Sequence, residues 1–184
     1  MEEIDILYDL HDALGGGMMD SFSLAVDFLF KAEILWGLAA FILLAFSRTR
    51  SAGAVLLFAL ILEVCFVYGL KMGVGRVRPV TEYDIDALIV SYNTSSFPSG
   101  HTAQWFCAAT VTAVFCRAAA PFMFTFATLV GITRLYLFAH YPTDVLAGAV
   151  IGTVCALVSV FILLRMYPRT VFVKNPMPPD GESE

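Results

Sequence analysis

The sequence predicts an all-α protein, a polytopic helical bundle with five to six membrane spans. Of its 184 residues, 59% are hydrophobic and only 15% are charged, whereas about one quarter of a typical soluble domain is charged. The apolar residues are gathered into runs separated by short polar turns, and a helix needs about 20 such residues to cross a bilayer. We expect one integral membrane domain over residues 1–184, with the bundle at 22–165.

Charge and cysteine usage narrow the classes of partner. The net charge of -5 leaves no large basic surface, so a nucleic-acid partner is not expected, whereas membrane lipids are. The start of the chain does not resemble a cleaved signal peptide, so the first apolar segment is expected to remain. The 4 cysteines fall in apolar runs without ligand spacing, which predicts small core residues. They are Cys65, Cys107, Cys116 and Cys155.

The two ends of the chain differ from the bundle. In residues 1–17, apolar side chains recur at helical spacing between acidic ones, a pattern typical of an interfacial amphipathic helix. Three glycines then end this helix, and Asp20 and Ser21 are expected to cap the next one. Residues 166–184 form a polar tail rich in proline and charge.

Five apolar runs are long enough to be considered as spans. They cover residues 22–46, 52–72, 102–116, 122–139 and 142–164. Asp27 and Lys31 stand four apart in the first run, so they either pair near the interface or belong to a site. Glu33 complicates the same run, and Glu63 interrupts the second without an explanation. Gly148 and Gly152, also four apart, favour close packing of the last helix.

The polar residues of the spans concentrate at their ends. Lys71 and Arg78 follow the second span, where cations are favoured at a helix C-terminus even without a function. Ser99, Gly100 and His101 open the third span, either as a plain helix cap or as a terminus whose free N–H groups bind phosphate. The connection between the fourth and fifth spans carries Arg134, His140 and Asp144.

These end residues fit the chemistry of phosphate. Three cations and a helix N-terminus attract a multiply charged oxyanion, and they would repel a divalent metal, so no metal or other cofactor is expected. Asp144, four residues after His140, can hold one imidazole tautomer and leave the other nitrogen as a nucleophile. His101 is then the candidate general acid for the leaving oxygen.

The charges of the connections also predict an orientation. Arg48, Arg50, Arg117 and Arg165 lie at the end opposite to the polar motifs, and most cations at the motif end belong to the motifs themselves. The positive-inside rule therefore places the Arg48 end in the cytoplasm and the motif end outside. A bacterial cytoplasmic membrane with an outward-facing site is the expected location.

Three segments resemble the motifs of the type 2 phosphatidic acid phosphatase superfamily. The first is Lys71, six residues, then Arg78 and Pro79; the second is the run from Pro98 to His101; the third is Arg134, five residues, His140, three residues, then Asp144. All three occur in order at span ends. One departure is Thr133, which stands where the family usually has a serine before the arginine.

The resemblance implies both a fold and a mechanism. It implies a helical core like that of acid phosphatases and vanadium haloperoxidases, and a metal-independent phosphatase with a phosphohistidine on His140. His101 is then the acid and Asp144 orients the nucleophile. By the same resemblance, the phosphate is held by Lys71, Arg78, Ser99, Gly100 and Arg134.

The substrate stays open at the level of the sequence. The short chain is similar to small bacterial undecaprenyl-diphosphate phosphatases, which implies a lipid diphosphate substrate and a role in recycling the carrier of cell-wall (peptidoglycan) synthesis. A phosphatidylglycerophosphate, phosphatidate or lipid A phosphatase of the same superfamily is the alternative. A non-catalytic scaffold that kept the fold is a third hypothesis. The sequence does not define an oligomeric state.

Overall fold

The computed structural model describes residues 2–29, 33–86, 88 and 94–166, which form helices and short connections. The helices are α1 (Glu3–Leu14), α2 (Gly17–Leu29), α3 (Glu33–Ala45), α4 (Arg50–Val74), α5 (Pro79–Glu82), α6 (Gly100–Phe115), α7 (Ala120–Tyr136) and α8 (Pro142–Met166). A 3-10 turn, Arg117–Ala119, precedes α7. The described part of the chain contains no strand, which confirms the all-α class.

Three helical stretches of the described residues are long and apolar enough to cross a membrane. They are Arg50–Glu82, Arg117–Tyr136 and Pro142–Leu163, and they make the chain an integral membrane protein. The other two predicted spans correspond to shorter helices. At 16 residues, α6 is about 24 Å long at 1.5 Å per residue, less than the 30 Å of a hydrocarbon core.

The short helix α6 lies in the middle of the bundle. Its residues Ala103, Cys107, Ala108 and Ala109 are almost fully buried, because α6 packs against α4, α7 and α8. The main apolar core therefore runs between α3, α4, α6 and α8. Of the four cysteines, Cys107 and Cys155 are buried as predicted. The prediction was wrong for Cys65 on α4 and Cys116 just after α6, which are exposed.

The close packing predicted for Gly148 and Gly152 is confirmed. A Cβ atom on Gly152 would lie 1.9 Å from the carbonyl oxygen of Ala103, and one on Gly148 would lie 2.5 Å from that of Ser99. The absence of these side chains lets α8 lie directly on the backbone of α6. This contact brings the N-termini of both helices to the same end of the bundle.

The first predicted span is described as two helices. Residues 30–32, and with them Lys31, lie outside the described residues, as do 87, 89–93 and the tail beyond Met166. The predicted cap was wrong, because α2 begins at Gly17 and Asp20 and Ser21 lie in its first turns. The Ser21 hydroxyl donates to the Gly17 carbonyl, and Asp20 accepts a hydrogen bond from the Tyr136 hydroxyl at 2.5 Å.

Helix α1 occupies the predicted N-terminal segment and packs on protein. Its apolar residues Ile4 and Leu7 are buried against Phe138, in the connection between α7 and α8. Placement of α1 at the membrane interface remains a prediction. Its buried face nevertheless ties the amino terminus to the end of the bundle that carries the polar motifs.

Candidate active site

The three motifs meet at one end of the bundle through hydrogen bonds to backbone carbonyls. The N–H of Ser99 donates to the carbonyl of Asp144 at 3.0 Å, which joins the start of α6 to the start of α8. Arg78 Nη1 donates to the carbonyl of Ala139 at 2.8 Å. Gly75, with a φ of 62°, ends α4 in the left-handed conformation that glycine adopts without strain. The chain can therefore turn back toward the other two motifs.

His140 is buried with its Nε2 atom against a cation. This atom lies 3.2 Å from Arg78 Nη1, and because a guanidinium only donates, Nε2 must accept. The ring proton is thereby assigned to Nδ1, which lies 3.7 Å from Asp144 Oδ2, an electrostatic contact longer than a hydrogen bond. Burial lowers the pKa of His140 to about 3, and the cations Arg78 and Lys71 act in the same direction. The imidazole is therefore neutral, with its lone pair on Nε2.

Asp144 is fully buried, and both of its carboxylate oxygens accept hydrogen bonds. Oδ1 accepts from Arg76 Nη1 at 2.8 Å. Oδ2 accepts from the Ser96 hydroxyl at 2.5 Å and from the Tyr141 N–H at 2.9 Å. These bonds fix the carboxylate with one oxygen directed toward the ring of His140.

Lys71 and Arg78 reach the segment just before α6. Lys71 Nζ donates to the Ser95 carbonyl at 2.6 Å. Arg78 donates to Thr94 twice, from Nε to the carbonyl at 3.0 Å and from Nη2 to the hydroxyl at 3.1 Å. These acceptors are neutral, so the bonds orient both cations without neutralising them.

Arg134 differs from these two cations because its guanidinium is paired with a carboxylate. Its Nη1 lies 2.5 Å from Oδ1 of Asp27 on α2, and the Arg134 side chain is only 1% exposed. Asp27 therefore contacts a predicted site residue, while its alternative partner Lys31 lies outside the described residues. Thr133 supports the same guanidinium, since its hydroxyl accepts from Arg134 Nε at 3.3 Å and Nη2 at 3.2 Å. Thr133, which replaces the usual serine, thus keeps a hydroxyl in contact with the arginine.

A cavity of about 430 Å³ connects these side chains. Six of the eight predicted site residues line it: Lys71, Arg78, Gly100, His101, Arg134 and His140. The other two lie behind this lining, Asp144 against the ring of His140 and Ser99 with its hydroxyl 3.0 Å from that of Thr102. The structure therefore brings the predicted residues to one place, with Ser99 facing Thr102.

The cavity also contains polar residues for which sequence reasoning gave no role. Glu63, fully buried, lies two helical turns before Lys71 on α4, about 12 Å along the axis at 1.5 Å per residue. Gln104 on α6 is 4% exposed, and its Oε1 atom has no hydrogen-bond partner among the described residues. The signal was the spacing of four from Glu63 through Val67 to Lys71, which places all three on one helix face.

The fold and this site define a class of protein, namely helical membrane proteins with a buried imidazole and several cations at one end of the bundle. The family model described as the PAP2 superfamily matches residues 52–167. That range is more than half of the chain and contains all three motifs. The chain belongs to the PAP2 superfamily.

Individual relatives agree on the family and differ in their named substrates. The chain is 38% identical over 94 residues to phosphatidylglycerophosphatase B of Bacillus subtilis, covering 45% of this chain and 44% of that protein. It is 27% identical over 135 residues to an undecaprenyl-diphosphatase of Sulfolobus acidocaldarius, covering 71% and 64%. The crystal structure of LpxE from Aquifex aeolicus is similar with a TM-score of 0.70 and 26% identity, covering 86% of this chain and 94% of that one. The chain spans about half the length of the curated relatives it matches.

Proposed function

We propose that the chain is a membrane lipid phosphatase that hydrolyses a polyprenyl diphosphate, such as undecaprenyl diphosphate, to the monophosphate. One observation carries the proposal: a neutral, buried His140 directs Nε2 toward Arg78 in a cavity that Lys71, His101 and Arg134 also line. A nucleophile with its lone pair available, surrounded by cations, is what displacement at phosphorus requires. Membership of a family whose members include named lipid phosphatases supports the same reaction class.

The proposed reaction has two displacements. Lys71, Arg78 and Arg134 hold the terminal phosphate, with the free N–H groups at the start of α6 near Gly100. His140 Nε2 attacks the terminal phosphorus, and the bond to the bridging oxygen breaks. His101 gives its proton to that oxygen as the lipid monophosphate leaves. Water, deprotonated by His101, then attacks the phosphohistidine and releases inorganic phosphate.

Asp144 has a defined part in this scheme. When Nε2 forms a bond to phosphorus, the ring becomes positive, and the carboxylate 3.7 Å from Nδ1 stabilises that charge. Arg78 must transfer its Nη1 donor from Nε2 to a phosphate oxygen when substrate binds. The same cation thus keeps the imidazole neutral before binding and neutralises the substrate afterwards.

The mechanism is tested with purified protein and a matched histidine control. Release of phosphate from undecaprenyl diphosphate is expected to persist in chelator and to be inhibited by vanadate, and His140→Ala is expected to abolish it. His11→Gln is the control, because His11 lies on α1 outside this cavity and glutamine keeps a polar side chain near the Tyr136 carbonyl; it should retain most of the turnover. Strict dependence on magnesium, or full turnover by His140→Ala, would contradict the mechanism.

We further propose that the site faces outward from a bacterial cytoplasmic membrane, so that the lipid recycled is the one in the outer leaflet. Leu88 is 47% exposed in the connection that follows α5. After the exposed Cys65 and Cys116 are changed to alanine, a cysteine at position 88 should react with a membrane-impermeant thiol reagent in whole cells. Labelling only after lysis would reverse the orientation.

A second candidate substrate class is favoured by the polar end of the cavity. The Gln104 Oε1 acceptor suits a lipid that carries hydroxyl or amide donors beside its phosphate, such as phosphatidylglycerophosphate or a lipid A phosphate, more than a hydrocarbon chain. Gln104→Leu should raise KM about 5–10-fold for such a lipid, which corresponds to one hydrogen bond of about 1–1.4 kcal/mol. For a polyprenyl diphosphate, KM should not rise. A panel of both lipid types with the wild type and Gln104→Leu decides between the two.

A further inference from the structure

Arg76 lies between the motif residues Lys71 and Arg78, and the mechanism above does not use it. Its guanidinium donates from Nη1 to Asp144 Oδ1 at 2.8 Å and to the Thr143 hydroxyl at 2.7 Å. It also stacks on the ring of Tyr141, 3.9 Å from the ring centroid. Arg76 therefore contacts Tyr141, just before α8, and Thr143 and Asp144 in its first turn.

Arg76 reaches the carboxylate on the side opposite to the nucleophile. Asp144 Oδ2 lies 3.7 Å from His140 Nδ1, while Oδ1 belongs to Arg76. A partial rotation of the carboxylate plane about the Cβ–Cγ bond would move Oδ1 away from Arg76 and turn Oδ2 away from the imidazole. Together with the Ser96 and Tyr141 donors on Oδ2, the arginine thus holds the carboxylate in one orientation, and through it the imidazole.

A second carboxylate, Glu3 of α1, completes this arrangement. Glu3 Oε2 lies 2.5 Å from Arg76 Nη2, and Oε1 accepts from the Thr143 N–H at 2.9 Å. The Thr143 N–H is in the first turn of α8, where a carboxylate is favoured. Although partial burial by itself raises the pKa of Glu3, hydrogen bonds from Arg76 and Thr143 lower it below its ordinary value of 4.5. Glu3 is therefore ionised at neutral pH.

We propose that Arg76 and Glu3 are positioning residues of the phosphatase site, so that helix α1, docked through Glu3, is required for full turnover. The inference rests on the proposed function, because it assigns these residues to the orientation of the His140 nucleophile. It extends the site beyond the three motifs, to an arginine that acts through Asp144 and a glutamate that acts through the arginine.

Burial separates this role from that of an ordinary surface ion pair. The side chains of Arg76 and Glu3 are 29% and 31% exposed, and such a pair alone contributes little to stability. Asp144 is 0% exposed, so removing its cation leaves a buried carboxylate with one donor fewer. The effect of Arg76 on the site therefore comes mainly from Asp144, and that of Glu3 from holding Arg76.

The test separates positioning from phosphate binding in the full-length protein. Arg76→Ala should slow single-turnover formation of the phosphohistidine about 10–100-fold, Arg76→Lys about 3–10-fold, and Glu3→Gln about 3–10-fold. The affinity for inorganic phosphate should change less than about 2-fold, because Lys71, Arg78 and Arg134 are intact. Asp9→Asn is the matched control, because Asp9 is an exposed acidic residue of the same helix, and it should match the wild type.

A double-mutant cycle tests whether Glu3 acts through Arg76. If it does, adding Glu3→Gln to Arg76→Ala should change the rate less than about 2-fold, although Glu3→Gln alone changes it more. Equal losses of phosphate affinity and of rate in Arg76→Ala would indicate general damage and overturn the proposal, as would wild-type rates in Arg76→Ala or additive effects in the cycle.

Failure of this inference is distinguishable from failure of the proposed function. If His140→Ala is inactive and the Arg76 and Glu3 variants react at wild-type rates, only the inference fails. If His140→Ala forms product at the wild-type rate, the mechanism on which the inference rests is wrong.

Discussion

The pair of Asp27 and Arg134 predicts a linked change in stability and anion binding. Arg134 Nη1 lies 2.5 Å from Asp27 Oδ1, and the two side chains are 1% and 18% exposed. Asp27→Asn keeps an oxygen acceptor at the same position and removes only the negative charge. The guanidinium is then left in a buried site with its hydrogen bonds to Thr133 but without this counter-ion.

The expected loss of stability follows from burial. Removing one partner of a fully buried pair costs about 3–5 kcal/mol, and the partial exposure of Asp27 reduces this to about 2–3 kcal/mol through solvent screening. For a chain of this size, a loss of 1 kcal/mol lowers the unfolding midpoint by roughly 2–4 °C. Asp27→Asn should therefore lower the midpoint by about 4–12 °C in the absence of anions.

Inorganic phosphate should reverse part of this loss. Arg134 lines the cavity, so an anion bound there supplies the charge that Asp27 no longer does. If the freed cation tightens phosphate binding about 10-fold, saturating phosphate adds about 1.4 kcal/mol more stability to the variant than to the wild type. The assay is thermal unfolding of the purified protein in detergent across a phosphate titration.

Asp20→Asn is the matched control for this experiment. Asp20 lies on the same helix and accepts its hydrogen bond from the neutral hydroxyl of Tyr136, so its loss should be smaller, about 1 kcal/mol, and insensitive to phosphate. The reasoning is refuted if the two variants lose equal stability, or if phosphate stabilises Asp27→Asn no more than the wild type.

Three further predictions concern the same end of the bundle and its packing. Burial lowers the pKa of His140 from 6.5 to about 3, so the unfolded chain binds a proton more readily, and the contribution of His140 to stability is fully present above pH 6.5 and is lost as the pH falls toward 3. His140→Gln should therefore weaken the fall of the unfolding midpoint at acidic pH. An unchanged pH dependence would argue against this role of His140. Gly152→Ala should destabilise by at least about 1–3 kcal/mol because its Cβ would lie 1.9 Å from the Ala103 carbonyl, whereas Gly69→Ala, with open space around its Cβ, should be neutral or stabilise by up to about 1 kcal/mol; similar unfolding midpoints would contradict this. Thr133→Ser keeps the hydroxyl and should match the wild type in stability, while Thr133→Val should cost about 1–3 kcal/mol by removing an acceptor from the buried guanidinium, and equal midpoints for both would show that the hydroxyl is dispensable.

The helices that could be predicted from the sequence are those formed by apolar runs long enough to cross a membrane. The runs at 52–72, 122–139 and 142–164 correspond to α4, α7 and α8, because about 20 apolar residues satisfy their backbone within one helix. The run at 102–116 is instead the 16-residue helix α6, which packs against α4, α7 and α8. The first run, 22–46, carries Asp27, Lys31 and Glu33, and its residues 30–32 lie outside the described residues. Hydropathy measures only the preference for an apolar environment, and it does not distinguish lipid from a neighbouring helix.

The motif residues were predictable because each motif is local. A helix end, its cap and its charged side chains lie within a few residues, so their spacing indicates a site before any tertiary contact is known. Asp27, Arg76 and Glu3 depend on contacts across 107, 68 and 73 positions of sequence. A charged residue alone in a sequence has many candidate partners, so spacing could not assign these contacts.

The carboxylates found by structure change how the cations of the site should be counted. The sequence places Lys71, Arg76, Arg78 and Arg134 at the same end, which suggests an excess of positive charge. Arg76 is paired with Glu3 and Asp144, and Arg134 with Asp27, whereas the contacts of Lys71 described above are to a carbonyl. In the proposed mechanism, a bound phosphate therefore competes with Asp27 for Arg134, while Lys71 is available from the start. In the proposed mechanism, Lys71 and Arg76 thus have different roles, since Lys71 faces the substrate phosphate and Arg76 holds the carboxylate that orients His140.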